Sequence, residues 1–114
     1  MPAVFLGGKA LTESETFAAQ LPVYPAGAAV IAITGDLTSA GAAIAGEALA
    51  AAATHVSLHT GPPGDDGANE IADSQTAFSA VYDSGAKTVD IESAVTGAEE
   101  ITGTATHYGV WAVS

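Results

Sequence analysis

The sequence predicts a mainly β domain, a small sandwich or barrel, with one Ala-rich helix and an extended N-terminal arm. Three observations support this fold class. Several short segments alternate between apolar and polar residues, as strands of a packed sheet do. One segment, 38–53, is dominated by alanine, the strongest helix former. Gly and Pro residues separate these segments and mark turns. With 114 residues the chain is expected to be a single domain, in which 1–35 form the arm and first strand and 36–114 the β-rich unit.

The N-terminal part combines short apolar runs with residues that disfavour a central strand. Pro22 and Pro25 lie on either side of Tyr24, and a proline cannot donate a hydrogen bond to a β-ladder. This stretch is therefore expected at an edge or in an arm. Residues 28–34 (AAVIAIT) are rich in β-branched side chains and predict the first regular strand. The first residues carry no basic side chain before their apolar run, so we do not expect a signal peptide.

The Ala-rich segment predicts the one helix of the chain. Thr38 or Ser39 can cap it, and it is expected to run to about Ala53. Its large apolar residues, such as Ile44 and Leu49, form only a thin stripe. Because small residues allow close approach, we expect this helix to pack on a sheet rather than to stand alone.

The later segments predict strands with a period of two. In 55–60 (HVSLHT), Val56 and Leu58 alternate with histidine and serine, which predicts a strand with one buried and one polar face. The Gly- and Pro-rich segment 61–67 that follows is a predicted loop. Further strands are predicted around 78–82, 88–95 and 104–113.

Charge excludes two classes of partner. The chain has 2 Lys or Arg against 13 Asp or Glu, for a formal net charge of −11. Nucleic acids are bound through clustered Lys and Arg, and anionic membrane surfaces attract basic segments, so neither is an expected partner. Acidity of this degree indicates a soluble protein and is also compatible with a saline medium. Cysteine is absent, which rules out disulfides and cysteine-based zinc sites.

No pattern typical of an enzyme is present. The sequence lacks a G-x-S-x-G elbow and a Gly-rich phosphate loop ending in Gly-Lys-Ser/Thr. Two cations leave little to stabilise an anionic transition state. His55 and His59 are four residues apart, which on a strand separates them by about 13 Å, too far to share a metal. We therefore predict no catalytic residues, no enzymatic activity and no cofactor.

Two binding features remain as weaker candidates. Asp65, Asp66, Asn69 and Glu70 lie in the Gly-rich loop and offer oxygen ligands for calcium. Their spacing does not match an EF-hand, so a solvated turn is the alternative. Trp111 lies in the last predicted strand, where an aromatic side chain is either core or an interface anchor. The predicted interface residues are Pro22, Tyr24, Pro25 and Trp111.

Two stretches resemble a known group of proteins. The Ala-rich helix runs into THVSLHTGPPGDDGANE (54–70), and THYGVW (106–111) follows near the end. Together they resemble small structural proteins of tailed phages, often labelled tail fibre or minor structural proteins. That group has a helix followed by T-H-x-S-L-H-T-x-x-P-G-x-x-G-A-N-E, and later T-H-x-G-x-W. Residues 74–78 (SQTAF) depart from it, because an aromatic-plus-arginine step often follows there. The resemblance implies a virion component without catalysis.

The charge then narrows the expected position in the particle. A net charge of −11 is unfavourable beside packaged DNA, and the chain shows no fibre-like repeat. We therefore expect a capsid decoration or cement protein on the outer surface of the head, assembled in the host cytoplasm. Its expected partners are the major capsid protein, neighbouring virion subunits and further copies of itself, with a trimer favoured. The alternatives are a tail or head fibre or adaptor component used in host attachment, and a calcium- or carbohydrate-binding module.

Overall fold

A computed structural model describes residues 3–12 and 17–113 of the chain, with the side chain of Phe17 excepted. One helix and eleven strands make up this part of the protein. In chain order the elements are β1 (Ala3–Ala10), β2 (Phe17–Ala18), β3 (Val23–Tyr24), β4 (Ala29–Ala32), α1 (Ser39–Ala52), β5 (His55–His59), β6 (Thr76–Ala77), β7 (Ala80–Asp83), β8 (Thr88–Ile91), β9 (Val95–Thr96), β10 (Thr104–Ala105) and β11 (His107–Val113).

Two antiparallel sheets build the fold. The first has the strand order β1-β11-β5-β6, and the second has the order β4-β8-β7. Two short pairings, β10 with β2 and β3 with β9, complete the strand network. Strands that are distant in sequence are neighbours in both sheets. In the first sheet, the first strand β1 pairs with the last strand β11. The prediction of a mainly β domain with one Ala-rich helix is confirmed.

The core lies between the two sheets and follows the alternation of the strands. Alternate residues of a strand point to opposite faces, so every second side chain of β5, β11 and β8 enters the same apolar layer. The seven fully buried side chains that these strands and β4 contribute are Val56, Leu58, Tyr108, Val110, Val89, Ile91 and Val30.

The helix begins and ends close to where the sequence predicts. Thr38 is the N-cap, and its Oγ1 accepts a hydrogen bond from the backbone N–H of Gly41 at 3.1 Å. The buried face of α1 contains Ala42 and Gly46, and the helix packs against β7 and β8. A Cβ at Gly46 would overlap the ring of Tyr82, so the glycine lets this ring lie directly on the helix. Among the described residues, no helix has the length and hydropathy needed to cross a membrane.

The described part of residues 1–35, predicted as an arm and first strand, packs into the domain. β1 runs along β11 from Ala3↔Val113 to Ala10↔His107, with a bulge between Phe5 and Gly7. Further along, β3 pairs with β9 and β4 pairs with β8. These pairings make residues 3–10 an edge strand of the first sheet.

Candidate functional site

The two stretches that carry the family resemblance contain two neighbouring strands, β5 and β11. β5 and β11 pair with the register His59↔His107, Ser57↔Gly109 and His55↔Trp111. The polar positions of HVSLH therefore lie beside the alternate positions of HYGVW, on the face of the sheet opposite the core. Residues that are about fifty positions apart in sequence thus share one face of the sheet.

A continuous hydrogen-bond chain crosses this face. Trp111 Nε1 donates to Ser57 Oγ at 2.8 Å, Ser57 Oγ lies 2.8 Å from His59 Nε2, and His59 Nδ1 lies 2.8 Å from the carbonyl oxygen of Ala68. A carbonyl can only accept, so the network assigns the proton of a neutral His59 ring to Nδ1. Nε2 then accepts from the Ser57 hydroxyl. All three hydrogen bonds therefore have the same direction, with the donors on the Trp111 side and the acceptors on the side of the loop that contains Ala68.

Both faces of β5 are buried, which corrects the prediction of a half-buried strand. Ser57 and His59 are fully buried, like the apolar residues between and before them. Phe5 of β1 covers this face: its ring meets Trp111 edge-on at a centroid distance of 5.0 Å and lies 6.1 Å from the His59 ring. The polar positions of the strand are buried because β1 and the loop after β5 fold over them.

Three glycines leave the space that this arrangement needs. A Cβ on Gly109 would collide with His59 Nε2 and would lie 2.7 Å from Ser57 Oγ. A Cβ on Gly67, whose φ is +77°, would lie 2.6 Å from the Trp111 ring. A Cβ on Gly8 would lie 2.7 Å from Pro63 Cγ. Gly109 and Gly67, which belong to the two motif stretches, and Gly8 of β1 are therefore positions where a backbone lies directly against a neighbouring side chain.

The loop after β5 is held by its own hydrogen bonds. Asn69 Nδ2 donates to the carbonyl of Pro62 at 2.9 Å, and the carbonyl of Asn69 accepts from the N–H of Thr60 at 3.0 Å. The N–H of Ala68 donates to the carbonyl of Pro63 at 2.7 Å. Asn69 has a φ of 66°, a conformation that asparagine adopts more readily than most residues. The loop thus presents the Ala68 carbonyl to His59 from a fixed position.

The predicted calcium ligands do not converge in this loop. Asp65, Asp66, Asn69 and Glu70 are all exposed. The Asn69 amide is engaged with Pro62, and Glu70 Oε1 accepts from Gln75 Nε2 at 3.4 Å. Over residues 3–12 and 17–113, no three His, Asp or Glu side chains are grouped closely enough to hold a metal ion.

The predicted interface residues separate into two groups. Pro22 and Tyr24 are fully buried, so in this structure they are core residues. Tyr24 Oη donates to the carbonyl of Ser74 at 2.9 Å. Burial raises the pKa of Tyr24 above its usual range, with smaller raising effects from Tyr108 and Glu70 and a lowering effect from a hydrogen bond with Thr76. Pro25 is exposed and Trp111 is partly exposed.

Ser57 and His59 have the spacing of a nucleophile and its base, and in the structure both belong to the hydrogen-bond network with Trp111. Both side chains are closed off from solvent, and the Ser57 hydroxyl already accepts from Trp111. The described residues enclose no ligand-sized pocket. Contact of these two residues with Trp111 was not predicted from the sequence. The available signal was their i, i+2 spacing on a strand, which places both side chains on one face.

Comparison of the chain with protein-family models, with curated proteins and with solved structures gave no match.

Proposed function

We propose that this chain is a structural protein of a bacteriophage virion, a capsid decoration or cement protein on the outer surface of the head. One observation carries the proposal. The two stretches that resemble phage structural proteins are paired strands, and their side chains Ser57, His59 and Trp111 form a single hydrogen-bonded unit. The unit gives a physical reason for these residue types to occur together in this chain.

The unit suits a protein whose task is mechanical. It joins β11, β5 and the loop after β5 through buried hydrogen bonds, and Phe5 adds β1 through its contact with Trp111. Buried polar networks whose members are all satisfied make a fold rigid. A rigid clamp between neighbouring shell subunits requires this property, whereas catalysis requires access to a nucleophile. In this proposal the partners are the major capsid protein or neighbouring virion subunits.

The charge supports an external position. The 13 acidic side chains outnumber the two lysines, and most of the acidic residues in the described part of the chain are exposed, among them Asp65, Asp66 and Glu70. Packaged DNA repels such a surface. The outer face of the shell avoids this repulsion, and electrostatic attraction to basic patches of a shell subunit would speed docking.

Antibody labelling of intact virions tests the proposal. Gold-labelled antibodies against the purified chain are expected to decorate the outside of the head. Label confined to the tail would contradict the proposal and support the fibre or adaptor alternative. Label that requires disrupted particles would place the protein inside and contradict an external role.

An adsorption assay examines the fibre or adaptor alternative independently. Purified chain is added to host cells before infection, and the rate of phage adsorption is measured. A decoration protein is expected to leave the rate unchanged, because host receptors are bound by the tail. Blocked adsorption would favour the alternative.

A further inference from the structure

The free edge of β1 is the longest unpaired strand edge in the described part of the protein. β1 has eight residues and pairs with β11 on one side only. The strands at the other sheet edges, β4, β6 and β7, have four residues or fewer. An unpaired edge presents a row of backbone donors and acceptors that another strand can use. Val4 on this strand is 57% exposed.

The same region lacks the acidic side chains that dominate the rest of the sequence. Residues 3–12 and 104–113 contain no Asp or Glu, and they include Lys9, one of the two cations of the chain. For a molecule with a net charge of −11, contact between two copies is opposed by repulsion over most of the surface. The β1 edge lets two copies approach with no acidic residue in either strand.

We propose that β1 of one copy pairs with β1 of a second copy, antiparallel and about a two-fold axis, so that the two first sheets form one continuous sheet. An antiparallel pair of identical strands is related by a two-fold axis, so the same residues of β1, with the exposed Val4 among them, would form the contact in both copies. The pairing occupies the free edge of β1 in both copies, so the assembly stops at a dimer. This inference is independent of the proposed virion role. It also differs from the trimer expected from the sequence, which would need another contact.

The mass of the full-length chain in solution tests the pairing. Sedimentation equilibrium is expected to give a concentration-dependent dimer. Raising the salt concentration is expected to lower the dissociation constant severalfold, because salt screens the repulsion between two acidic chains. A monomer at every concentration, or a trimer, would overturn the proposal.

Two matched variants locate the contact. Val4→Glu places one acid in each strand of the pair and is expected to raise the dissociation constant by about tenfold or more. Val81→Glu makes the same change at a residue of β7 that is 43% exposed and is expected to leave the dimer intact. Circular dichroism confirms that both variants fold. Dimerisation that survives Val4→Glu, or is lost only in Val81→Glu, would overturn the proposal.

Hydrogen exchange of the unmodified chain gives an independent measurement. Amides of residues 3–10 are expected to exchange more slowly as the protein concentration rises, because half of the strand gains hydrogen-bond partners. Amides of β7 are expected to show no concentration dependence. Protection that appears in β7 instead of β1 would overturn the proposal.

Discussion

The indole N–H of Trp111 donates a 2.8 Å hydrogen bond to the hydroxyl of Ser57, joining two residues 54 positions apart. The Ser57 hydroxyl in turn donates to His59 Nε2, and His59 Nδ1 donates to the carbonyl of Ala68. Three side chains thus connect β11, β5 and the loop that follows β5.

A double-mutant cycle measures whether the connection acts as one unit. Ser57→Ala removes a buried hydroxyl that accepts from Trp111 and donates to His59, so it is expected to cost about 1–3 kcal/mol in the free energy of unfolding. Trp111→Phe removes the donor and is expected to cost about 1–2 kcal/mol. The double variant is expected to lose less than the sum, by at least about 0.5 kcal/mol.

Urea unfolding followed by fluorescence or circular dichroism supplies these free energies. Ile44→Ala is the control, because Ile44 is 73% exposed on the helix and is expected to change stability by no more than about 0.5 kcal/mol. Strict additivity of the two site variants would show that Ser57 and Trp111 act separately.

A glycine series separates backbone strain from contact with the Trp111 ring. Gly27 and Gly67 both have φ near +80°, but a Cβ meets open space at Gly27 and the Trp111 ring at Gly67. Gly27→Ala is expected to cost about 1–2 kcal/mol from the left-handed conformation alone. Gly67→Ala is expected to cost at least about 1 kcal/mol more, because the ring must move. Equal losses for the two variants would mean that the Trp111 contact contributes nothing.

Alkaline pH is expected to destabilise the fold through Tyr24. Burial raises the pKa of Tyr24 in the folded chain, whereas in the unfolded chain it titrates near the ordinary value of 10.0. The contribution of this group is therefore fully present below about pH 10 and is lost as the pH rises above that value. Tyr24→Phe is expected to cost about 1 kcal/mol at pH 7, through loss of the bond to Ser74, and to weaken the alkaline dependence.

Unfolding free energies measured between pH 7 and pH 11 check this account of Tyr24. The informative quantity is the slope above pH 10 for the original chain and for Tyr24→Phe. Identical slopes in the two proteins would assign the alkaline loss to another group.

Calcium is expected to leave the melting temperature unchanged. The loop of Asp65, Asp66, Asn69 and Glu70 is held by bonds from Asn69 to Pro62 and from Thr60 to Asn69. A ligand that binds only the folded chain raises its stability by about 2.7 kcal/mol at a hundred times its dissociation constant. Thermal melts in millimolar calcium and in chelator are therefore expected to agree within about 1 °C. A rise of several degrees would support the calcium-module alternative.

Local sequence rules correctly predicted the helices and strands that are determined by residues within or next to them. The helix was predictable because Thr38 caps it and alanine fills it. The apolar faces of β5 and β11 were predictable because Val56, Leu58, Tyr108 and Val110 follow a period of two. In each case the information lies within a few residues of the element.

The site was not predictable because its parts are far apart in sequence. Nothing near Ser57 indicates that Phe5 and Trp111 will cover it, so the strand was expected to have one polar face. Tyr24 was expected at an interface because two prolines surround it, yet its hydroxyl reaches the carbonyl of Ser74, 50 positions away. Burial of a polar side chain depends on distant partners, and a periodic pattern contains no information about them.

We propose that this chain decorates the outside of a phage head. A three-dimensional reconstruction of the virion by electron cryomicroscopy tests it most directly, because density can be compared with the two-sheet fold and its single helix. Density of this shape is expected at regularly repeated positions on the outer surface of the shell. Matching density found only in the tail, or only on the inner face of the shell, would contradict it.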